Sequence, residues 1–214
     1  MIHSRRAASL RTLPGVFLLV LLAACSGGST PPAPPFHSTE VSGIDYGRGL
    51  RIADSEGVPR TLEDFRGRVL VVFFGFASCP DVCPTTLARL KMVRQAMGAE
   101  AGQLTVALVS VDPERDSGEK LGAYARSFDT TFVALRPEPA QLETVVNAFH
   151  AVAVKVPSQG VPPDAIANGD YTIDHSATLY VYDRANRLRL ITHSDFDVAN
   201  FAEDLRRLAR EPTK

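Results

Sequence analysis

The chain has 214 residues, 45% of them hydrophobic and 22% charged, a balance that suits one globular domain with appendages and a sizeable core. With 23 Lys and Arg against 24 Asp and Glu the net charge is −1. No basic field or Lys/Arg-rich stretch argues for a nucleic acid or other polyanionic partner.

Residues 1–24 read as a signal peptide. Arg5, Arg6 and Arg11 form a basic start, and Leu13 to Leu22 is an apolar run too short for a comfortable membrane span. The run ends in Leu22-Ala23-Ala24-Cys25, which resembles a bacterial lipobox, with cleavage before Cys25 and a lipid on its sulfur. A plain signal peptide cut at an Ala-x-Ala-like site is the alternative. Cleavage leaves 20 basic against 24 acidic residues, a net −4, and puts the remaining cysteines in an oxidising compartment. Residues 25–40, rich in Pro, Gly and Ser, are expected to form a flexible, lipid-anchored linker, with His37 a solvated residue in it.

The globular pattern covers residues 41–214. Leu50–Ala53 and the turn residues Asp54–Gly57 predict a small hairpin, and Thr61–Asp64 a capped helix start. Val69–Phe76 is a continuous apolar run of the kind that makes a strand buried on both faces. Pro84 suits a helix start, and Leu87, Leu90, Val93 and Met97 follow at helical spacing. Leu104–Val111 predicts a second buried strand, and helices are expected over Glu119–Phe128 and Ala140–Phe149. Strand-like Ala151–Val156 precedes a Pro/Gly-rich loop, Pro157–Asp170. Strands at Ala177–Tyr182 and Leu188–Thr192, joined by a turn at Asp183–Arg187, lead to a helix over Val198–Arg210. Strands alternating with helices and closed by a hairpin predict an α/β chain with a central mixed β-sheet flanked by helices. A cysteine pair just after the first central strand makes the layout thioredoxin-like, with an N-terminal hairpin extension.

That pair is Cys79 and Cys83, in Ser78-Cys79-Pro80-Asp81-Val82-Cys83-Pro84. It lies where a buried strand gives way to a helix N-terminus, whose dipole and free N–H groups favour thiolate over thiol. Thiolates are soft donors and select Cu(I) over harder cations. A structural disulfide is the alternative, and the residues alone leave both open. A stable but transferable ion calls for a third donor. His175, beyond the Pro/Gly loop, is the candidate, with Asp174 placed to orient its ring. His150 is read as a helix-end cap and His193 as a strand-end residue.

Three segments together resemble the Sco/SenC copper chaperones, which assemble the copper centre of cytochrome c oxidase. They are Cys79-Pro80-Asp81-Val82-Cys83-Pro84-Thr85-Thr86-Leu87, Val109-Ser110-Val111-Asp112-Pro113-Glu114-Arg115-Asp116 and Tyr171-Thr172-Ile173-Asp174-His175-Ser176-Ala177. The resemblance implies copper bound by Cys79, Cys83 and His175, as Cu(I), Cu(II) or both. It also matches Asp112 to an acidic residue implicated in metal handling, though closing the turn before Pro113 would explain it equally well. Glu114, Arg115 and Asp116 are read as a partner-facing surface or a solvated charged loop. The implied partners are the copper-receiving subunit of a cytochrome c oxidase and another periplasmic copper chaperone. The implied location is the bacterial periplasm, on a membrane, as a lipoprotein. Metal delivery is not catalysis in the usual sense. The alternative is a thiol–disulfide reductase that uses Cys79 and Cys83 to keep the oxidase's copper-site cysteines reduced. The three-residue spacer between the cysteines and the remote His175 favour copper, since dithiol oxidoreductases of this fold normally carry Cys-x-x-Cys.

Overall fold

Every residue of Val69–Gly75 is buried, because neighbouring strands flank it and side chains cover both faces. A computed structural model describes residues 35–213 of the chain. In chain order the strands are β1 (Thr39–Glu40), β2 (Ile52–Asp54), β3 (Pro59–Arg60), β4 (Val69–Gly75), β5 (Leu104–Ser110), β6 (Val133–Arg136), β7 (Ala153–Pro157), β8 (Tyr171–His175), β9 (Thr178–Tyr182) and β10 (Leu188–His193). The helices are α1 (Val82–Ala96), α2 (Gly118–Phe128), α3 (Leu142–Ala148) and α4 (Val198–Arg210).

Eight strands form one mixed sheet in the order β1-β10-β9-β4-β5-β6-β2-β3. β4, β5 and β6 run parallel through the helical crossovers α1 and α2, and β9 closes on β4 antiparallel. This is the thioredoxin-like arrangement, with β2–β3 as the N-terminal hairpin. Alternation along β4 separates two packing layers. Phe74 meets the Phe149 and Tyr180 rings at 5.0 and 6.1 Å on one face. Phe73 and Gly75 look toward Cys83 on the other.

The predicted helices form close to their expected limits, since burial at i, i+3 and i+4 reflects contact with the sheet. Thr61–Asp64 departs from expectation. The Thr61 N–H does donate to the Asp64 carboxylate at 2.7 Å, but the segment is a four-residue 3-10 turn that ends as the chain enters β4. At the N-terminal side the folded unit begins before residue 41. Buried Asp204 of α4 accepts hydrogen bonds from the His37 and Ser38 N–H groups and the Ser38 hydroxyl (2.7–2.9 Å), and β1 pairs with β10. The His37 ring also lies 3.5 Å from Glu203. The last residues of the expected linker are therefore part of the domain, because charge-assisted bonds to a buried carboxylate hold them there. The expected signal peptide, Cys25 and the start of the linker lie outside the described residues. Among the described residues no helix is long and apolar enough to cross a membrane.

Candidate metal centre

The β4–α1 connection sets the cysteines. Asp81 is the N-cap of α1, and Pro84 sits in its first turn, where a missing N–H costs no intrahelical bond. Cys83 is thereby fixed inside the first turn and fully buried, while Cys79 precedes the helix and is partly exposed. The Cys83 N–H donates to Cys79 Sγ at 3.4 Å, so the sulfur serves as an acceptor for the helix end. Gly75 makes room for the pair, since a Cβ there would stand 2.9 Å from Cys83 Sγ.

The two thiols are pushed in opposite directions. Hydrogen bonding from Cys83, helped by His175 and by the Asp81 and Cys83 backbone N–H groups, holds Cys79 far below the ordinary thiol value. Cys83 is pushed far up by that same bond and by burial.

His175 closes the group from the end of β8. β7 and β8 form a sheet of their own, with Ala153 opposite His175, and this ribbon swings the imidazole back over the cysteine loop. The ring's Nδ1 lies 3.1 Å from the Ser176 carbonyl, which can only accept. A hydrogen on Nδ1 would satisfy that carbonyl and leave Nε2, which stands 3.5 Å from Cys83 Sγ, as the metal-binding nitrogen. Phe73 and Phe76 pack edge-on around the ring, with centroids 6.1 and 6.0 Å away.

The three donor atoms lie within 4.8 Å of one another. Donors bound at about 2.3 Å and spread at 120° around one ion stand roughly 4 Å apart, so little adjustment would seat a soft metal here.

Other sequence expectations shift. Asp174 is exposed on the opposite side of β8 from His175, so the Ser176 carbonyl, not Asp174, orients the ring. Asp112 is buried and committed elsewhere. Its carboxylate accepts from the Tyr171 hydroxyl at 2.8 Å and from Arg115 Nε, and its carbonyl accepts the Arg115 and Asp116 N–H groups, closing the turn. Glu114, Arg115 and Asp116 do not form a solvated surface. Asp116 is buried against Ser110 and the Ala77 N–H, Arg115 packs on Tyr171, and only Glu114 is exposed, paired with Lys155. His150 follows α3 at φ 49°, stacked on Tyr46, and its own N–H closes the last turn. His193 is exposed at the end of β10. Sequence reasoning missed the Tyr171–Arg115 contact, and the unusual density of charge after Asp112 was its only signal.

A thioredoxin-like fold bearing two free cysteines and a remote imidazole defines a soft-donor redox or metal protein. Residues 40–210 match the SCO1/SenC family model, and the chain belongs to that family. It is 29% identical to a SCO2-like protein of Rickettsia prowazekii over 82% of each chain. Copper-bound ScoI of Bradyrhizobium japonicum is similar at 34% identity and a TM-score of 0.66, covering 77% of this chain and 99% of that one. Apo Sco1 of Thermus thermophilus is similar at 32% identity and a TM-score of 0.64, covering 80% and 94%.

Proposed function

We propose that this protein binds one copper ion through Cys79, Cys83 and His175 and delivers it to the copper centre of a respiratory cytochrome c oxidase. In this reading it works in the bacterial periplasm, held to the membrane by a lipid on Cys25 and a spacer that ends at the domain boundary. The convergence of two sulfurs and a ring nitrogen within 4.8 Å carries the proposal. Family membership and the copper bound by the Bradyrhizobium japonicum relative support it. Two soft sulfurs and one imidazole suit Cu(I) at low coordination number, and the partly exposed Cys79 leaves an approach for an acceptor's donor atom. Transfer is then ligand exchange: the acceptor bonds to copper as this chain's donors leave, with no net redox change.

The test is a competitive Cu(I) titration of the reduced protein beside Cys79→Ser, Cys83→Ser and His175→Ala. One tight copper per chain is expected, weakened at least tenfold in each variant. Equal affinity in His175→Ala would remove the imidazole from the site. Absence of tight copper in the intact protein would favour a second reading, a thiol–disulfide reductase acting on the oxidase's cysteines. The partly exposed Cys79, its thiol pKa lowered beside buried Cys83, supports that chemistry too.

A further inference from the structure

A two-stranded ribbon is marginal on its own in water, yet β7–β8 must hold the His175 imidazole within bonding reach of two sulfurs on a different element. Buried Tyr171 and Ile173 and the Lys155–Glu114 pair help to anchor it, and one side chain adds several contacts at the start of β8. Arg115 Nη1 donates to the Tyr171 carbonyl at 2.8 Å and reaches the Gly169 carbonyl at 3.5 Å, at the start of β8. Its guanidinium carbon lies 3.7 Å from the Tyr171 ring centroid, and its Nε donates to Asp112, which also accepts the Tyr171 hydroxyl. The turn that bears Arg115 also braces the cysteine loop, since Asp116 accepts the Ala77 N–H two residues before Cys79. Arg136 fixes that turn from below, donating to the Asp116 and Pro113 carbonyls at 2.6 and 2.7 Å. One short turn thus braces the cysteine loop and the His175 ribbon alike and contributes no donor.

We propose that Arg115 is a positioning residue of the metal site, latching the β7–β8 ribbon to the turn that supports the cysteines and so fixing where His175 stands. This rests on reading Cys79, Cys83 and His175 as one site. A planar fork that donates along two edges while stacking on a ring is specific to guanidinium, and lysine would keep only the charge.

The experiment uses the full chain. Amide hydrogen exchange is followed on the metal-free, reduced protein, and Cu(I) affinity is measured by competition with bicinchoninate. Wild type is compared with Arg115→Ala, Arg115→Lys, His175→Ala and the Arg115→Ala/His175→Ala double variant. In Arg115→Ala, exchange over residues 153–157 and 171–175 should quicken by roughly tenfold or more, while β4 and β5 keep their protection. Cu(I) affinity should fall by about tenfold, Lys should restore little of it, and in the His175→Ala background the same change should cost nothing further. An unchanged ribbon, an unchanged affinity, or an equal loss in both backgrounds would each overturn the latch. Should Arg115→Ala fail to fold, Tyr171→Phe, which deletes only the hydroxyl bonded to Asp112, must show the same pattern at smaller size. Its absence overturns the latch as well. If His175→Ala binds Cu(I) as tightly as wild type, the three-donor reading fails and takes the positioning role with it. The exchange data would show separately whether Arg115 holds the ribbon.

Discussion

Cys79 and Cys83 are four positions apart and chemically unlike, because one turn of backbone puts the first ahead of a helix and the second inside it. The Cys83 thiol stabilises the anion on its partner, so Cys79 holds its charge well below the pH at which an ordinary thiol, at about 8.5, ionises. A depressed value means that the reactive thiolate is present above the folded-state pKa and is lost only when pH falls through it. Iodoacetamide should therefore modify Cys79 and spare buried Cys83. The rate should stay nearly flat from pH 8 to pH 6, where an unperturbed thiol would slow about tenfold per unit. Cys83→Ala removes the donor, and the pH-dependent fall should then reappear. Peptide mapping with rate measurements checks both. A profile in the intact protein that climbs steadily toward pH 8.5 would mean that the hydrogen bond does not form in solution.

Among the elements, α4 does more than cover the sheet. Its amphipathic face buries Phe201, Leu205 and Leu208, while Asp204, also buried, turns a carboxylate toward the incoming chain. Asp204→Ala would strand two backbone N–H groups and a hydroxyl, at a cost of about 1–3 kcal/mol in urea unfolding. Cu(I) affinity should not change, because β1 is separated from β4 by β10 and β9. A loss of copper in this variant would tie the edge of the sheet to the site. The same contrast explains what the sequence could and could not reveal. Helices α1, α2 and α4 and strands β4 and β5 declare themselves by period and length, since each buries its pattern whatever its neighbours. β1 has two residues and exists through pairing with β10 at the far end of the chain, while β8 has five and pairs with β7 across an irregular Pro/Gly-rich loop, and no local pattern encodes either. Cys79, Cys83 and His175 were legible as chemistry-bearing residues in two of the three recognisable segments. The Ser176 carbonyl and the Arg115 fork were not, because a backbone acceptor carries no residue signature and a charged turn reads as solvated until its partners are known.

At the scale of the molecule, a metal at this site would join two parts that are distant in sequence and belong to separate sheets. Cys83 and His175 are 92 positions apart, one at the head of α1 on the main sheet and the other on the separate β7–β8 ribbon. A ligand that binds only the folded state stabilises it by RT ln(1 + [L]/Kd), about 4 kcal/mol when free ligand stands at a thousand times Kd. For a domain of this size each kcal/mol moves Tm by about 2–4 °C. Buffered Cu(I) at that excess should therefore raise the Tm of the reduced protein by roughly 8–16 °C. The rise should vanish in Cys83→Ser, which removes a buried donor, and shrink in His175→Ala, where the two sulfurs remain but the ribbon is no longer stapled. Differential scanning calorimetry under anaerobic conditions measures it. A full rise in His175→Ala would mean that the metal sits on the cysteine loop alone and that the ribbon is held by Arg115 and Tyr171 without it.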